Sequence, residues 1–205
     1  MSIRFNYVEL EGFRSCVKPF HFDLNRPGLN LLKGINGAGK TSLFEGIVFA
    51  LYGENLKDSK LEALPSWPEI RSSQWQGSRV SVSFCTDFDT YSIYRHIDYK
   101  GVTDDTKGEN YLMLYKGDDE HGHKPERVGD FRNKAEMQEE INRILGMDCK
   151  TFMNSILFGQ RMAKLIQQDN KDKHELFETL FETEWVTNAK TKCDNDMLMW
   201  TSEVF

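Results

Sequence analysis

Gly34-Ile35-Asn36-Gly37-Ala38-Gly39-Lys40-Thr41 fills every fixed position of the eight-residue phosphate loop, Gly-x-x-x-x-Gly-Lys-Ser/Thr. The flanks suit it. Leu29-Asn30-Leu31-Leu32 reads as a short buried strand running into the loop. Behind it, Leu43, Ile47 and Leu51 recur at helical spacing through Ser42–Tyr52, and Gly53 offers a stop. Glycines let the backbone curl so that successive N–H groups face phosphate oxygens, and a helix N-terminus adds partial positive charge there. The motif assigns Lys40 to the β- and γ-phosphates and the Thr41 hydroxyl to a magnesium ion. A nucleoside triphosphate is therefore the expected ligand.

The composition sets limits around that loop. With 205 residues the chain can bury a core and carry an appendage. A formal net charge of −6 gives no global basic field, so any DNA contact must be local. Cys16, Cys85, Cys149 and Cys193 are scattered without a Cys-x-x-Cys pair, which suits reduced thiols in a soluble, cytoplasmic protein. No signal peptide and no membrane-spanning apolar run is visible.

Residues 3–10 alternate as a half-buried strand that Gly12 breaks, and Phe20–Leu24 is a second short alternating run before the Asn25-Arg26-Pro27-Gly28 turn. Residues 54–78 are polar, punctuated by Pro65 and Pro68, and predict a loop or short helical insertion. Arg79–Phe84 and Tyr91–Ile97 alternate around a turn carrying Asp87 and Asp89, an antiparallel hairpin, with Tyr111–Tyr115 as a third strand. Polar loops fill 98–110 and 116–130. His121 and His123 in the latter read as solvated rather than metal-binding. Met137, Ile141, Ile144 and Leu145 give an amphipathic helix over 134–145 that Gly146 ends. Asp148 can cap a further short helix, 149–154, ahead of the apolar run Ile156-Leu157-Phe158. From 169 or 170 a long helix is expected almost to Phe205, its apolar face carried by Leu176, Phe177, Leu180, Phe181 and Trp185.

The order of these parts resembles one family. Gly12-Phe13-Arg14-Ser15 after the first strand, the loop Gly34–Ser42, the segment Ser155–Gln160, and Asp172–Leu180 opening a charged helix carry the likeness. The chain resembles the N-terminal ATPase lobe of SMC-like, ABC-type ATPases that partner a DNA nuclease, a group that includes SbcC and phage recombination-endonuclease ATPase subunits. The resemblance implies an α/β P-loop NTPase lobe with an antiparallel β-subdomain over 1–168, and a helix entering a coiled coil over 169–205. It implies that Arg14, Ser15, Asn36, Gly37, Ala38, Gly39, Lys40, Thr41, Ser42 and Gln160 contact ATP, with Thr41 and Gln160 also on Mg²⁺. Gln160 would be the Q-loop glutamine, sensing the γ-phosphate. Asn36 would lie near that phosphate, and Arg14 would approach the nucleotide from the first strand turn.

The likeness also implies partners: a C-terminal lobe of the same ATPase, a second head paired through ATP, a nuclease subunit, and DNA ends. No segment here reads as the signature loop or as an apolar strand ending in a catalytic glutamate, so no catalytic residue is assigned. Arg161-Met162 follows Gln160 where relatives often have Gly-Glu. The chain accordingly reads as the first half of a longer polypeptide, working in the cytoplasm, or in that of an infected host if phage-encoded. Two rival readings are a nucleotide-gated DNA clamp or scaffold without turnover, and a GTPase. Asp98-Tyr99-Lys100-Gly101 and Asn133-Lys134-Ala135-Glu136 imitate GTPase motifs, but the second has Glu where guanine-reading Asp belongs and opens a helix.

Overall fold

The computed structural model describes residues 2–56, 63–71, 73, 75–98, 111–117, 125–157, 170, 171, 173, 177 and 189–194. They fall into two compact units, Met1–Gly146 and Met147–Phe205. The first is built on strands whose side chains alternate, one face apolar and one polar. These are β1 (Arg4–Glu11), β2 (Phe20–Asp23), β3 (Ser78–Cys85), β4 (Thr90–Ile97), β5 (Tyr111–Lys116) and β6 (Glu126–Arg127). They form one six-stranded sheet in the order β2-β1-β3-β4-β5-β6, and every pairing is antiparallel. The expected hairpin and third strand are present, but β1 and β2 join them in the same sheet. The two-residue β6 falls in a stretch read as loop.

Val8, Leu10, Val80, Val82, Phe84, Ile93, Leu112 and Leu114 are buried. Alternation turns their neighbours to the other face, where Glu9 shares a hydrogen bond with His21 and Glu11 pairs with Arg79.

Helix α1 (Lys40–Tyr52) lies on the sheet and is buried at nearly every position from Ser42 onward. It approaches β1 so closely that a Cβ on Gly46 would collide with Leu10 Cδ2. Its far end is closed by side chains. Gly53 adopts the left-handed conformation and its N–H reaches Phe49 O, Arg95 Nε donates to Ala50 O at 3.2 Å, and Gln138 Nε2 donates to Leu51 O at 2.9 Å. The last carbonyls of a helix have no intrahelical donor, so these contacts replace water where water is excluded. Burial pulls the Arg95 guanidinium down to about 10, which leaves it charged at neutral pH. Gln138 belongs to α2 (Lys134–Leu145), which has the expected bounds and buries Met137, Ile141, Ile144 and Leu145. Asn133 caps it, accepting from Glu136 N.

One sequence reading is corrected. Leu29–Leu32 forms no strand: Leu29 is fully exposed and Leu31 is 76% exposed. A strand needs a hydrogen-bonded neighbour, and among the described residues none pairs with this segment. In the second unit, α3 (Cys149–Ser155) is capped by Asp148 as expected. After it, the N–H groups of Ile156 and Leu157 both close on Phe152 O and extend the helix end. Residues 170, 171, 173, 177 and 189–194 are helical. The other positions of the expected long helix, together with Phe158, Gln160 and the 121–123 histidines, lie outside the described residues.

Candidate nucleotide site

The phosphate loop sits between the exposed segment 29–36 and the start of α1. Gly37 and Gly39 have φ of 84° and 87°, a region that favours glycine. Gly39 is the N-cap of α1, and no side chain caps that helix, in contrast to Asn133 on α2 and Asp148 on α3. The first-turn N–H groups of Lys40, Thr41 and Ser42 precede the first intrahelical bond, Leu43 N to Gly39 O, so they are donors with no helical acceptor. Oriented amides and a helix N-terminus form a cradle for an anion. Lys40 Nζ lies across it, donating to Gly34 O at 2.7 Å and Ile35 O at 2.8 Å. Thr41 is exposed, with its hydroxyl available to a cation, while Asn36 and Ala38 are exposed and Ser42 is buried.

The turn after β1 closes in from the other side. The Ser15 and Ser42 hydroxyls hydrogen-bond at 3.4 Å. A Cβ on Gly39 would lie 2.8 Å from Ser15 Oγ. Arg14 is neither solvated nor aimed freely at the loop. Its Nε donates to Glu45 Oε2 at 2.9 Å, Nη2 to Glu45 Oε1 at 3.4 Å and Nη1 to Ala63 O at 2.6 Å. The polar insertion straps this turn in place, with Arg14 N bonded to Leu64 O and Ser66 N to Gly12 O. Burial raises the pKa of the neighbouring Cys16 thiol, despite a hydrogen bond from Ser15 that favours the thiolate. Cys16 is therefore a neutral wall.

A cleft of about 580 Å³ opens here, lined by Ser15 and Gly37–Lys40 together with the apolar side chains of Val17, Phe20, Phe22 and Leu32. Its volume lies in the range of small-molecule sites. The structure thus brings Ser15, Gly37, Gly39, Lys40 and Ser42 together, engages Arg14 elsewhere, and leaves Gln160 outside the described residues. Glu45 and the apolar lining were missed in the sequence. Glu45 left a readable signal, since a carboxylate inside an otherwise apolar helix needs a cation beside it.

Comparison with known proteins fits this geometry. A family model described as an AAA domain matches residues 7–195. The chain belongs to the AAA-domain family. The SbcC component of the nuclease SbcCD from Staphylococcus epidermidis is 29% identical over 184 residues, covering 87% of this chain and 17% of that protein. The DNA double-strand break repair Rad50 ATPase of Sulfolobus acidocaldarius is 28% identical over 142 residues, covering 69% and 14%. The chain spans about one sixth of the length of these curated relatives. A solved structure, described under ATP-driven dimerisation and DNA-stimulated activation of SMC ATPases, matches with a TM-score of 0.56 at 17% identity, covering 86% of this chain and 99% of its own. The chain is thus an AAA domain similar in sequence to SbcC and Rad50 ATPases, with a fold similar to that of a solved SMC ATPase structure.

Proposed function

We propose that this chain is the ATP-binding half of the ATPase subunit of an SbcCD-like nuclease complex that processes DNA double-strand breaks. The observation that supports it most is the phosphate loop itself, with its left-handed glycines, uncapped helix and lysine across the mouth. The amides from Gly37 to Ser42 bind the phosphates, Lys40 leaves its loop carbonyls for the β- and γ-phosphates, and Asn36 flanks the γ-phosphate. Phe20, Phe22 and Leu32, which line the same cleft, would offer apolar surface to the base. Thr41 and Gln160 hold Mg²⁺, which supplies counter-charge to the phosphate oxygens. Gln160 is a sensor and not a base, because an amide has no proton affinity near neutral pH. Turnover belongs to the assembly with a C-terminal lobe, a second head, the nuclease subunit and DNA. Binding by the lobe alone is gated by none of these.

The Asn133 motif gives no support to a guanine site, because its side-chain oxygen already accepts from Glu136 N. The test is calorimetric titration with Mg·ATP and Mg·GTP, for the unaltered chain and for Lys40→Ala. ATP should bind, and Lys40→Ala should lose about 100-fold or more in affinity, as expected for a charged contact removed from a phosphate site. Equal ATP affinity in the two proteins, or a preference for GTP, refutes the reading.

A further inference from the structure

We infer that Glu45 is a positioning residue for the phosphate loop, acting through Arg14 to hold Ser15 against the loop's last glycine. This rests on the nucleotide reading above and adds how the cradle keeps its shape. Gly39, Ser42 and Glu45 recur every third residue, which places them along one side of α1. Each meets the turn after β1. A Cβ on Gly39 would touch Ser15 Oγ, Ser42 hydrogen-bonds Ser15, and Glu45 takes Arg14 at both carboxylate oxygens. One step further along, Gly46 lets Leu10 come close, and Phe49 stacks on Phe13 at 5.8 Å. Glu45 is only 2% exposed, so its charge is compensated by the guanidinium and not by water.

The turn does not hold this geometry unaided. Arg14 has φ of 51°, a left-handed backbone unusual for a side chain of its size. Leu64 O accepts from its N–H, and Ala63 O from its Nη1. Arg14 spends Nε and Nη2 on the helix that carries the loop, a two-point grip that lysine cannot reproduce. The pair therefore sets the height of Ser15 over Gly39, and with it the spacing of the cradle.

The test compares Arg14→Lys, Glu45→Gln and the double variant with the unaltered chain, by amide hydrogen exchange without nucleotide and by Mg·ATP titration. Each single variant should speed exchange at the bonded cradle amides, Ala38 (to Ile35 O) and Leu43 (to Gly39 O), by about tenfold, and the double variant by no more than about twice that, the signature of one shared contact. ATP affinity should fall by the same factor in all three. Ser15→Gly, which leaves the buried pair intact, should speed exchange at Leu43 without raising it in the sheet, and guards against a variant that fails to fold. Unchanged exchange at the loop, or exchange raised evenly over the whole sheet, overturns the inference. So does a Glu45→Gln protein that binds ATP more tightly, the result expected if Arg14 were a direct phosphate contact. Should the unaltered chain bind no ATP, the nucleotide reading fails and the exchange result alone decides the brace.

Discussion

The two loop glycines allow backbone strain to be separated from steric fit. Gly37 and Gly39 have nearly the same left-handed φ, 84° and 87°. A Cβ on Gly37 would meet nothing within 4 Å, whereas one on Gly39 would lie 2.8 Å from Ser15 Oγ. For an L-residue this conformation costs about 1–2 kcal/mol. Gly37 is exposed, so in Gly37→Ala the free loop relaxes locally and nucleotide binding must restore the strained form. The cost should appear in ATP affinity, a loss of about 5- to 30-fold, with little change in melting temperature. Gly39→Ala carries the same strain plus an overpacking term of at least about 1 kcal/mol, so its loss should be about 30- to 200-fold. Ser15→Gly in the Gly39→Ala background removes the colliding hydroxyl and should bring affinity back toward the Gly37→Ala level. Calorimetry with Mg·ATP on the four proteins, with melting curves alongside, decides it. Equal losses at the two glycines, or no recovery with Ser15→Gly, would refute the close approach of Ser15 to the loop.

Further outcomes follow from the packing around α1. Burial, reinforced by the nearby Arg79 charge, lowers His96 from 6.5 to about 4. A depressed pKa means that its share of stability is intact above pH 6.5 and is lost as pH falls toward 4, up to about 3 kcal/mol. Urea unfolding at pH 7 and pH 4.5 should therefore show a smaller loss in His96→Phe than in the unaltered chain, and equal losses would contradict it. Arg95→Ala removes the donor to Ala50 O and the partner of Gln138. It should destabilise the lobe by about 2–3 kcal/mol, the range for hydrogen bonds to charged groups. An unfolding midpoint within error of the original would show that water replaces the guanidinium.

What the sequence revealed and what it hid divide along physical lines. Features fixed by local chemistry were legible: the phosphate loop, the alternation of β3 and β4, and the Gly53 and Gly146 stops. The limits of α2 were legible because its apolar stripe, cap and terminating glycine agree with one another. Leu29–Leu32 misled because an apolar run becomes a strand only when another strand lies beside it, and adjacency is not written in the run. The pairing of β1 with β3 was hidden for the same reason, since the whole of α1 separates them. Arg14 was legible as a residue near the site but not as Glu45's partner, because that contact depends on how α1 is docked. The Ala63–Ser66 strap has neither period and shows itself only through its carbonyls and amides.

The place of α1 between β1 and β3 also orders events during synthesis. Of the two strands hydrogen-bonded to β1, β3 follows the phosphate loop and the whole of α1 in the chain. Translation at about 5–20 residues per second puts roughly 2 to 9 seconds between the loop's threonine and the end of β3. Over that interval the helix that the finished lobe buries at nearly every position has β1 and β2 to lie on but not the middle of the sheet. Until β3 emerges, the part of α1 that it covers in the finished lobe stays open.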